Sequence, residues 1–457
     1  MLLTRTCSTS RARRDPDADP PRPARTQRRT TAPPPSPRES PVTIADTPLA
    51  PFDPTDPDVI AERMPHQEML ALRRTAPVSW VPQEEAALGG FRPDHTGYWA
   101  ISTHAEVAAV SKNSTDFSAA ANGVIMRFAP EMTKEEREQT GFLLINHDAP
   151  DHTKLRQIVS RAFTPRAVNA LHDELKARAE KIWADAVEEG SGDFVERVAA
   201  ELPLQAIADL IGVPQADRHK LFEWSNQMMS YDDPELGGDQ QVAFMEILGY
   251  SMALADERRK NPQDDIVTKL VSADVDGRGL TDDEFGFFMI LLAVAGNETT
   301  RNAITHGLHA FATMPEQWEI FRSQRPATAA DEIIRWATPV TAFQRTAMRD
   351  VELGGVTIPA GQRVGLLYAS ANFDEQVFDD PFTFDILREK NPHQAFGGHG
   401  AHYCIGANLA RMEVNLMFNA IADSGVRFHL EAEPERLRSG WLNGVKRMHM
   451  SYEKPGA

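Results

Sequence analysis

The chain has 457 residues, of which 41% are hydrophobic, and its formal net charge is −18. This length allows one large domain or two to three ordinary ones, and the apolar fraction is enough to fill a sizeable core. The excess of acidic groups argues against phosphate backbones and anionic membrane surfaces as partners for the body of the protein. We therefore expect no nucleic-acid binding.

The sequence contains two cysteines, Cys7 and Cys404, in very different surroundings. Two cysteines are too few for a disulfide framework, which fits a protein of the reducing cytoplasm. The longest strongly apolar stretch, residues 287–295, is well short of the roughly 20 residues that a membrane-spanning helix needs. We expect a cytoplasmic protein without a membrane span.

The N-terminal region has a biased composition. Residues 1–57 carry 13 of the 32 prolines, and residues 1–40 hold nine arginines against four acidic groups. Such a segment cannot bury enough apolar surface to fold alone. An Arg-rich start is also typical of targeting peptides, but no apolar run follows its two Arg-Arg pairs. We predict that residues 1–45 are a disordered extension, or that the translation start is misassigned upstream of Val42, and that residues 46–457 form one domain.

Helical periodicity dominates from about residue 58 onward, as in residues 173–188 and 199–211. Strand-like segments are few: residues 97–102, residues 351–358 around a Gly-Gly turn, and residues 362–368. No Gly-rich phosphate loop stands between a strand and a helix, so we expect no flavin or nicotinamide domain. The sequence predicts a mainly α fold with a small β-rich part.

Residues 287–300 are apolar all round and then abruptly polar, as expected of a helix buried through a core until it reaches a reaction site. Gly296 costs this helix roughly 1 kcal/mol relative to alanine. Thr299 and Thr300 can bond to carbonyls one turn earlier and open the helix locally, while Glu298 offers a titratable group beside them. The alternative is a polar cluster without chemistry.

Residues 396–406 place three glycines before Cys404 and one after it, and a helical pattern follows directly. Glycines let the backbone approach a flat ligand closely. The dipole and free N–H groups of a following helix favour the thiolate of such a cysteine. One thiolate without a second cysteine nearby suits haem better than zinc. The alternative is a lone buried cysteine in a Gly-rich turn.

This segment resembles the haem-binding loop of cytochromes P450, with Gly400, His402, Cys404 and Gly406 at the family's spacing. One feature departs from the pattern, because Phe396 lies eight residues before the cysteine and the family usually has seven. The resemblance implies the cytochrome P450 fold, a large helical domain with a small β-rich subdomain enclosing haem b. It also implies that the Cys404 thiolate is the axial iron ligand and that Phe396 packs against it.

The same resemblance assigns roles to the polar end of the buried helix. Oxygen activation at haem needs two protons, and a buried carboxylate with a hydroxyl that orients water is a sensible relay. The family's acid-alcohol pair implies that Glu298 delivers protons and that Thr299 holds the reacting oxygen group. Gly296 would leave room for a bound diatomic ligand.

Two further sets of residues match the family. Glu332 and Arg335, three residues apart on one helix face, would form a buried structural network with Arg388; on a solvent surface such a pair contributes only roughly 0.2 to 0.5 kcal/mol. Haem propionates are costly to bury without cationic partners. The candidate partners, each of which could instead be a plain surface cation, are His152, Arg156, Arg345 and His402.

A narrower resemblance, from about residue 50 to residue 455, is to the actinobacterial steroid C26-monooxygenases, which oxidise the terminal methyl of a cholesterol-type side chain. It rests on residues 121–128, 335–346 and 436–444 and on the extra residue in the cysteine loop. Apolar candidates for a wall that holds a rigid hydrocarbon, or for ordinary core, are Val124, Ile125, Phe128, Val294 and Trp441.

The resemblance implies hydroxylation of a cholesterol- or cholestenone-type steroid with O2 and with electrons from a ferredoxin and a ferredoxin reductase. Two alternatives stay open. The first is the same chemistry on a methyl-branched fatty acid or a terpenoid. The second is a haem-thiolate sensor or electron carrier without turnover, which would have no need of the acid-alcohol pair.

Overall fold

A computed structural model describes residues 48–88, 96–263, 265–272 and 280–455. The extension predicted for residues 1–45, with Cys7, lies outside the described residues. The α-helices of the described part are α1 (Pro57–Glu62), α2 (His66–Thr75), α3 (His104–Lys112), α4 (Lys134–Thr140), α5 (Asp151–Ser160), α6 (Pro165–Asn169), α7 (His172–Glu189), α8 (Glu201–Leu210), α9 (Arg218–Met229), α10 (Gln240–Lys260), α11 (Ile266–Val271), α12 (Asp282–Thr313), α13 (Pro315–Gln324), α14 (Ala329–Ala337), α15 (Tyr368–Ala371) and α16 (Ala407–Asp423).

The strands are short and lie mostly towards the two ends of the described chain. They are β1 (Val78–Pro82), β2 (Gly97–Ile101), β3 (Phe117–Ser118), β4 (Ser191–Asp193), β5 (Ala342–Ala347), β6 (Val351–Leu353), β7 (Val356–Ile358), β8 (Arg363–Leu367), β9 (Arg427–Leu430), β10 (Glu435–Arg436), β11 (Val445–Arg447) and β12 (His449–Glu453). The main sheet has the order β1-β2-β8-β5-β3, in which β2 and β8 are parallel and the other pairs are antiparallel. Smaller sheets join β4-β12-β9, β10-β11 and β6-β7.

The mainly α fold and its three predicted strand segments are confirmed, since they correspond to β2, the β6-β7 hairpin and β8. The helix predicted at residues 173–188 is α7, which ends at Gly190 in a left-handed conformation with φ +81°. The segment predicted at residues 199–211 is α8, preceded by a π-helical turn at Val195–Ala199. Periodicity missed β1 and β5 because both are buried on nearly every residue and therefore do not alternate.

Helix α12 passes through the middle of the helical part. Thr281 and Glu284 form a capping box at its N-terminus, each side chain accepting the backbone N–H of the other residue. Its first half packs with α8, α10 and α11 in one apolar cluster, and its second half packs with α7, α14 and α16 in another. Because other helices pack around α12, residues on every one of its faces are buried, which explains the unbroken apolar run in the sequence.

Among the described helices, none is both long enough and apolar enough to cross a membrane.

Candidate functional site

The cysteine loop is closed by its own backbone. The N–H of Cys404 donates to the carbonyl oxygen of Phe396 at 2.9 Å, so the eight-residue spacing forms a ring ahead of α16. Gly397 and Gly398 have φ of +87° and +70°, a conformation that glycine adopts without steric cost. A Cβ at Gly400 would lie 1.7 Å from the carbonyl oxygen of Ser111, at the end of α3. The glycines therefore let the loop fold tightly against α3.

The Cys404 side chain remains accessible although protein surrounds it in depth, so it faces a space within the fold. Burial raises the pKa of its thiol, while the N–H of Gly406 and the charges of Arg156 and Arg411 act in the opposite direction. Gly406 is the N-cap of α16, so the sulfur lies at the positive end of a helix. Burial outweighs these three influences and the pKa is raised, so a bound cation is what would stabilise the thiolate.

Phe396 contributes both its ring and its backbone to the cysteine loop. It packs beneath Arg411, whose guanidinium carbon is 4.6 Å from the ring centroid, and beside the rings of His393 and Tyr403. The backbone hydrogen bond ties Phe396 to Cys404, and packing of the ring against the thiolate stays a prediction.

Four residues predicted to bind an anion converge beside this loop from three elements, α5, β5 and the loop itself. The rings of His152 in α5 and His402 in the cysteine loop lie with centroids 4.2 Å apart. Arg156, one turn after His152, donates to the carbonyl oxygen of Tyr403. Arg345 in β5 is 4% exposed and donates to the carbonyl oxygen of Gln344 at 2.6 Å.

The electrostatics of this group indicate an anionic ligand. Burial, and then the charge of Arg156, lower the pKa of His152 to about 4. Burial, and then the charge of Arg345, lower the pKa of His402 to about 2. Among the described residues, no carboxylate forms an ion pair with any of the four. With these pKa values the two imidazoles are neutral near pH 7, whereas Arg156 and Arg345 are cations. Buried cations normally have anionic partners, so the two arginines, with two imidazoles that can donate hydrogen bonds beside them, fit a ligand that carries carboxylates.

Tyr368 belongs to this site and was missed by the sequence analysis. It is 1% exposed and begins α15 directly after β8, and its hydroxyl has no hydrogen-bond partner among the described residues. Burial raises the pKa of Tyr368, and the charge of Arg345 opposes that shift. The hydroxyl also lies 3.9 Å from where a Cβ of Gly397 would stand. No local motif marks this position, because the pairing of β5 with β8 is what brings it here.

On α12, the predicted back-bond is confirmed at Thr299, whose hydroxyl donates to the carbonyl oxygen of Ala295 at 2.7 Å. The prediction that the threonines open the helix locally is wrong, because α12 is α-helical without interruption through Thr299 and Thr300. A Cβ at Gly296 would lie 2.7 Å from the side chain of Ile207, so the glycine is needed for the packing of α8. Its place beside a diatomic ligand stays a prediction.

Glu298 is 2% exposed and forms an ion pair with Arg301, one turn later on α12. Asn302 donates from Nδ2 to Oε1 of Glu298 at 2.9 Å. The carboxylate is therefore held in place by two side chains of its own helix.

A second buried acid lies close by. Burial raises the pKa of Glu413 in α16 to about 8, and its hydrogen bond with Thr300 acts in the opposite direction. Glu413 was missed because its position follows from the packing of α12 against α16.

Comparison with known proteins decides the family. A model of the cytochrome P450 family matches residues 328–434. A steroid C26-monooxygenase of Rhodococcus jostii is 60% identical over 402 residues, which cover 88% of this chain and 85% of that protein. The chain belongs to the cytochrome P450 family.

Two further comparisons place this P450 among its relatives. A methyl-branched lipid omega-hydroxylase of Mycobacterium tuberculosis is 41% identical over 392 residues, 83% of this chain and 89% of that protein. The solved structure of a Mycobacterium marinum cytochrome P450 in complex with pseudoionone is 36% identical, with a TM-score of 0.82, and covers 88% of this chain and 99% of that one.

Membership in the family defines the cofactor and the type of reaction. The chain is a P450 monooxygenase whose cofactor is haem with a cysteine thiolate as axial ligand. The reaction takes O2 and electrons from a redox partner. The cysteine loop and the group of cations beside it fit this cofactor, which carries one iron and two carboxylates.

The structure brings together the three residues predicted to support this P450. Arg335 donates from Nε and Nη2 to the two carboxylate oxygens of Glu332, each at 2.8 Å, and Arg388 donates from Nε to Glu332 at 3.2 Å. Glu332 and Arg335 are fully buried. Asn391 and the backbone of Asp385 also donate to Glu332, so every charge in this network has partners.

Three of the five apolar residues predicted to line the substrate site lie together in the structure. Ile125, Val294 and Trp441 belong to one apolar cluster with Phe343 and Met229. Two others lie outside this cluster: Val124, whose backbone bonds to Asn146 and Gln344, and Phe128, whose ring packs under Arg137 at 4.9 Å.

Proposed function

We propose that the thiolate of Cys404 is the axial ligand of haem b. Among the described residues, Cys404 is an accessible cysteine at a helix N-terminus, and the charges of Arg156 and Arg411 favour its thiolate. We further propose that the two haem carboxylates are bound by the cationic group and by the Tyr368 hydroxyl. The cationic group consists of His152, Arg156, Arg345 and His402. When bound, haem supplies the activation of dioxygen and the insertion of one oxygen atom into a C–H bond.

In this proposal the chain's share of the chemistry is proton delivery and orientation. Glu298 supplies protons. The Thr299 hydroxyl, on the accessible side of α12, positions the group that donates the proton to the reacting oxygen. Support comes from the buried carboxylate directly beside a hydroxyl that is tied to Ala295. Glu298 has to exchange its bonds to Arg301 and Asn302 for a proton and then return to them, since a buried carboxylate is costly without partners.

We propose that the substrate is a steroid and that the product is hydroxylated at the terminal methyl of its side chain. The observation that carries this proposal is the 60% identity to a steroid C26-monooxygenase, against 41% to a methyl-branched lipid omega-hydroxylase. The aromatic residues Trp441 and Phe343, stacked at 6.0 Å beside Val294, offer a flat wall that suits fused rings better than a flexible chain.

The test is a titration of the haem-loaded protein with cholest-4-en-3-one and with a methyl-branched fatty acid, followed by mass analysis of the products. We expect tighter binding of the steroid and a product that is hydroxylated on the terminal methyl. Preferred binding and turnover of the fatty acid would identify the second candidate function. The 41% identity to the omega-hydroxylase is the observation that favours that candidate.

The electrons are proposed to come from a ferredoxin that is reduced by a ferredoxin reductase in the cytoplasm. The chain has no second cysteine in its described residues and contributes no reductase segment to the fold described. Reconstitution with a ferredoxin and its reductase should give turnover, whereas the reductase alone should not.

A further inference from the structure

Three buried polar atoms on one face of α12 have no hydrogen-bond partner among the described residues. They are Nδ2 and Oδ1 of Asn297 and Nε of Arg301. Asn297 is 1% exposed and Arg301 is 4% exposed. A buried polar group without a partner costs about 1 to 3 kcal/mol. Two donors and one acceptor in the same place are the complement of water, which both accepts and donates.

The position of these atoms on the helix relates them to Glu298. At 3.6 residues per turn, Asn297 and Arg301 lie about 40° apart around α12, and Glu298 lies about 60° beyond Arg301. Thr299 follows about 100° further round. Glu298 therefore stands between the face with the unpartnered atoms and the face with the Thr299 hydroxyl.

The face with the unpartnered atoms is turned towards α8 and α9. Ala293, one turn before Asn297, packs in the apolar cluster with residues of both helices. Arg301 donates from Nη1 to Oδ1 of Asn226 in α9 at 3.0 Å. Asn226 is half-buried, so this hydrogen bond leads from the interior to the outer part of α9.

We infer that Asn297 and the Nε of Arg301 hold internal water that returns protons from solvent to Glu298, along a route between α9 and α12. This inference rests on the role proposed for Glu298. For each proton that leaves Glu298, one proton enters from solvent on the α9 side, passes through this water to the carboxylate, and leaves the water neutral. Asn297 is a positioning residue in this scheme, because it acts only through the water.

The first test is a high-resolution crystal structure of the haem-loaded wild-type protein and of the Asn297→Leu variant, which has similar volume and no polar atoms. We expect ordered water within hydrogen-bond distance of Asn297 and of Arg301 Nε in the wild type and its loss in the variant. Wild-type density without water at Asn297 would overturn the inference.

The second test compares turnover. Asn297→Leu should lower the share of consumed electrons that appears in product by about tenfold and increase the solvent isotope effect, with unchanged substrate binding. Asn297→Ser, which retains a donor and an acceptor, should restore most of the loss. Product yield and isotope effect at wild-type values in Asn297→Leu would contradict the inference.

Glu298→Gln separates the two proposals. If it lowers product yield and Asn297→Leu does not, only the water route is wrong. If Glu298→Gln itself turns over like the wild type, the proposed role of Glu298 is wrong, and the water route is wrong with it.

Discussion

At the scale of single residues, the Cys404 sulfur carries the strongest expectation. Cys404→Ala should give protein without the carbon-monoxide band that is typical of sulfur ligation, since the described chain offers no second thiol. The measurement is the reduced carbon-monoxide difference spectrum of purified protein. Cys7→Ser is the matched control and should keep the band. A band of normal intensity in Cys404→Ala would contradict the assignment.

We expect His306 to make the protein sensitive to acid. Burial, and then the charge of Arg436, lower its pKa to about 3, and its Nε2 lies 2.9 Å from the carbonyl oxygen of Asn443. Because the folded-state pKa is below the unfolded value, the unfolded state binds the proton more tightly, and stability falls as pH decreases below about 6.5. At pH 5 this histidine alone should cost about 2 kcal/mol relative to pH 8.

The check is the melting temperature at pH 8 and pH 5. His306→Gln keeps a donor for Asn443 and should show a smaller drop between the two pH values than the wild type. His172→Gln, at an exposed histidine, is the control and should drop as much as the wild type. Equal drops in all three proteins would show that His306 does not contribute.

At the scale of elements, α14 depends on the Glu332 network. Glu332→Gln leaves Arg335 and Arg388 without a charged partner in a fully buried site, which should destabilise the protein by about 3 to 5 kcal/mol. Glu319→Gln removes an ion pair of the same i,i+3 spacing on the exposed surface of α13 and should cost under about 0.5 kcal/mol. Thermal unfolding of the two variants side by side measures the difference. Similar melting temperatures would contradict a structural role.

The same elements show what the sequence could predict. The end of α12 and the cysteine loop were predictable because each is continuous in sequence and combines an apolar run or glycines with chemically distinct side chains. Tyr368 and Glu413 were not, because the pairing of β5 with β8 and the packing of α12 against α16 bring them to the site. The partner of Glu298 was also missed, although Arg301 stands three residues later on the same helix.

At the scale of the whole molecule, the boundary near residue 46 can be tested. The N–H of Ala50 donates to the carbonyl oxygen of Trp80, and the N–H of Trp80 donates to that of Pro48, which attaches the start of the described chain to β1. A chain of residues 46–457 should therefore keep the melting temperature and the spectrum of the full protein. A chain that starts at residue 57 loses these bonds, and also the ion pair between Asp53 and Arg127, and should melt at a lower temperature. A lower melting temperature of 46–457 itself would place the boundary earlier.

The tight contact between the cysteine loop and α3 limits how this enzyme can be re-engineered. Any side chain at Gly400 would clash with the Ser111 carbonyl, and a Cβ at Gly398 would lie 3.0 Å from the Ser111 side chain. Neither position is therefore suitable for substitution. Efforts to tune the redox potential should instead vary Arg411, which acts on the sulfur from outside the loop. Substitutions there would alter the electric field at the sulfur and would also change the packing of the guanidinium on the Phe396 ring.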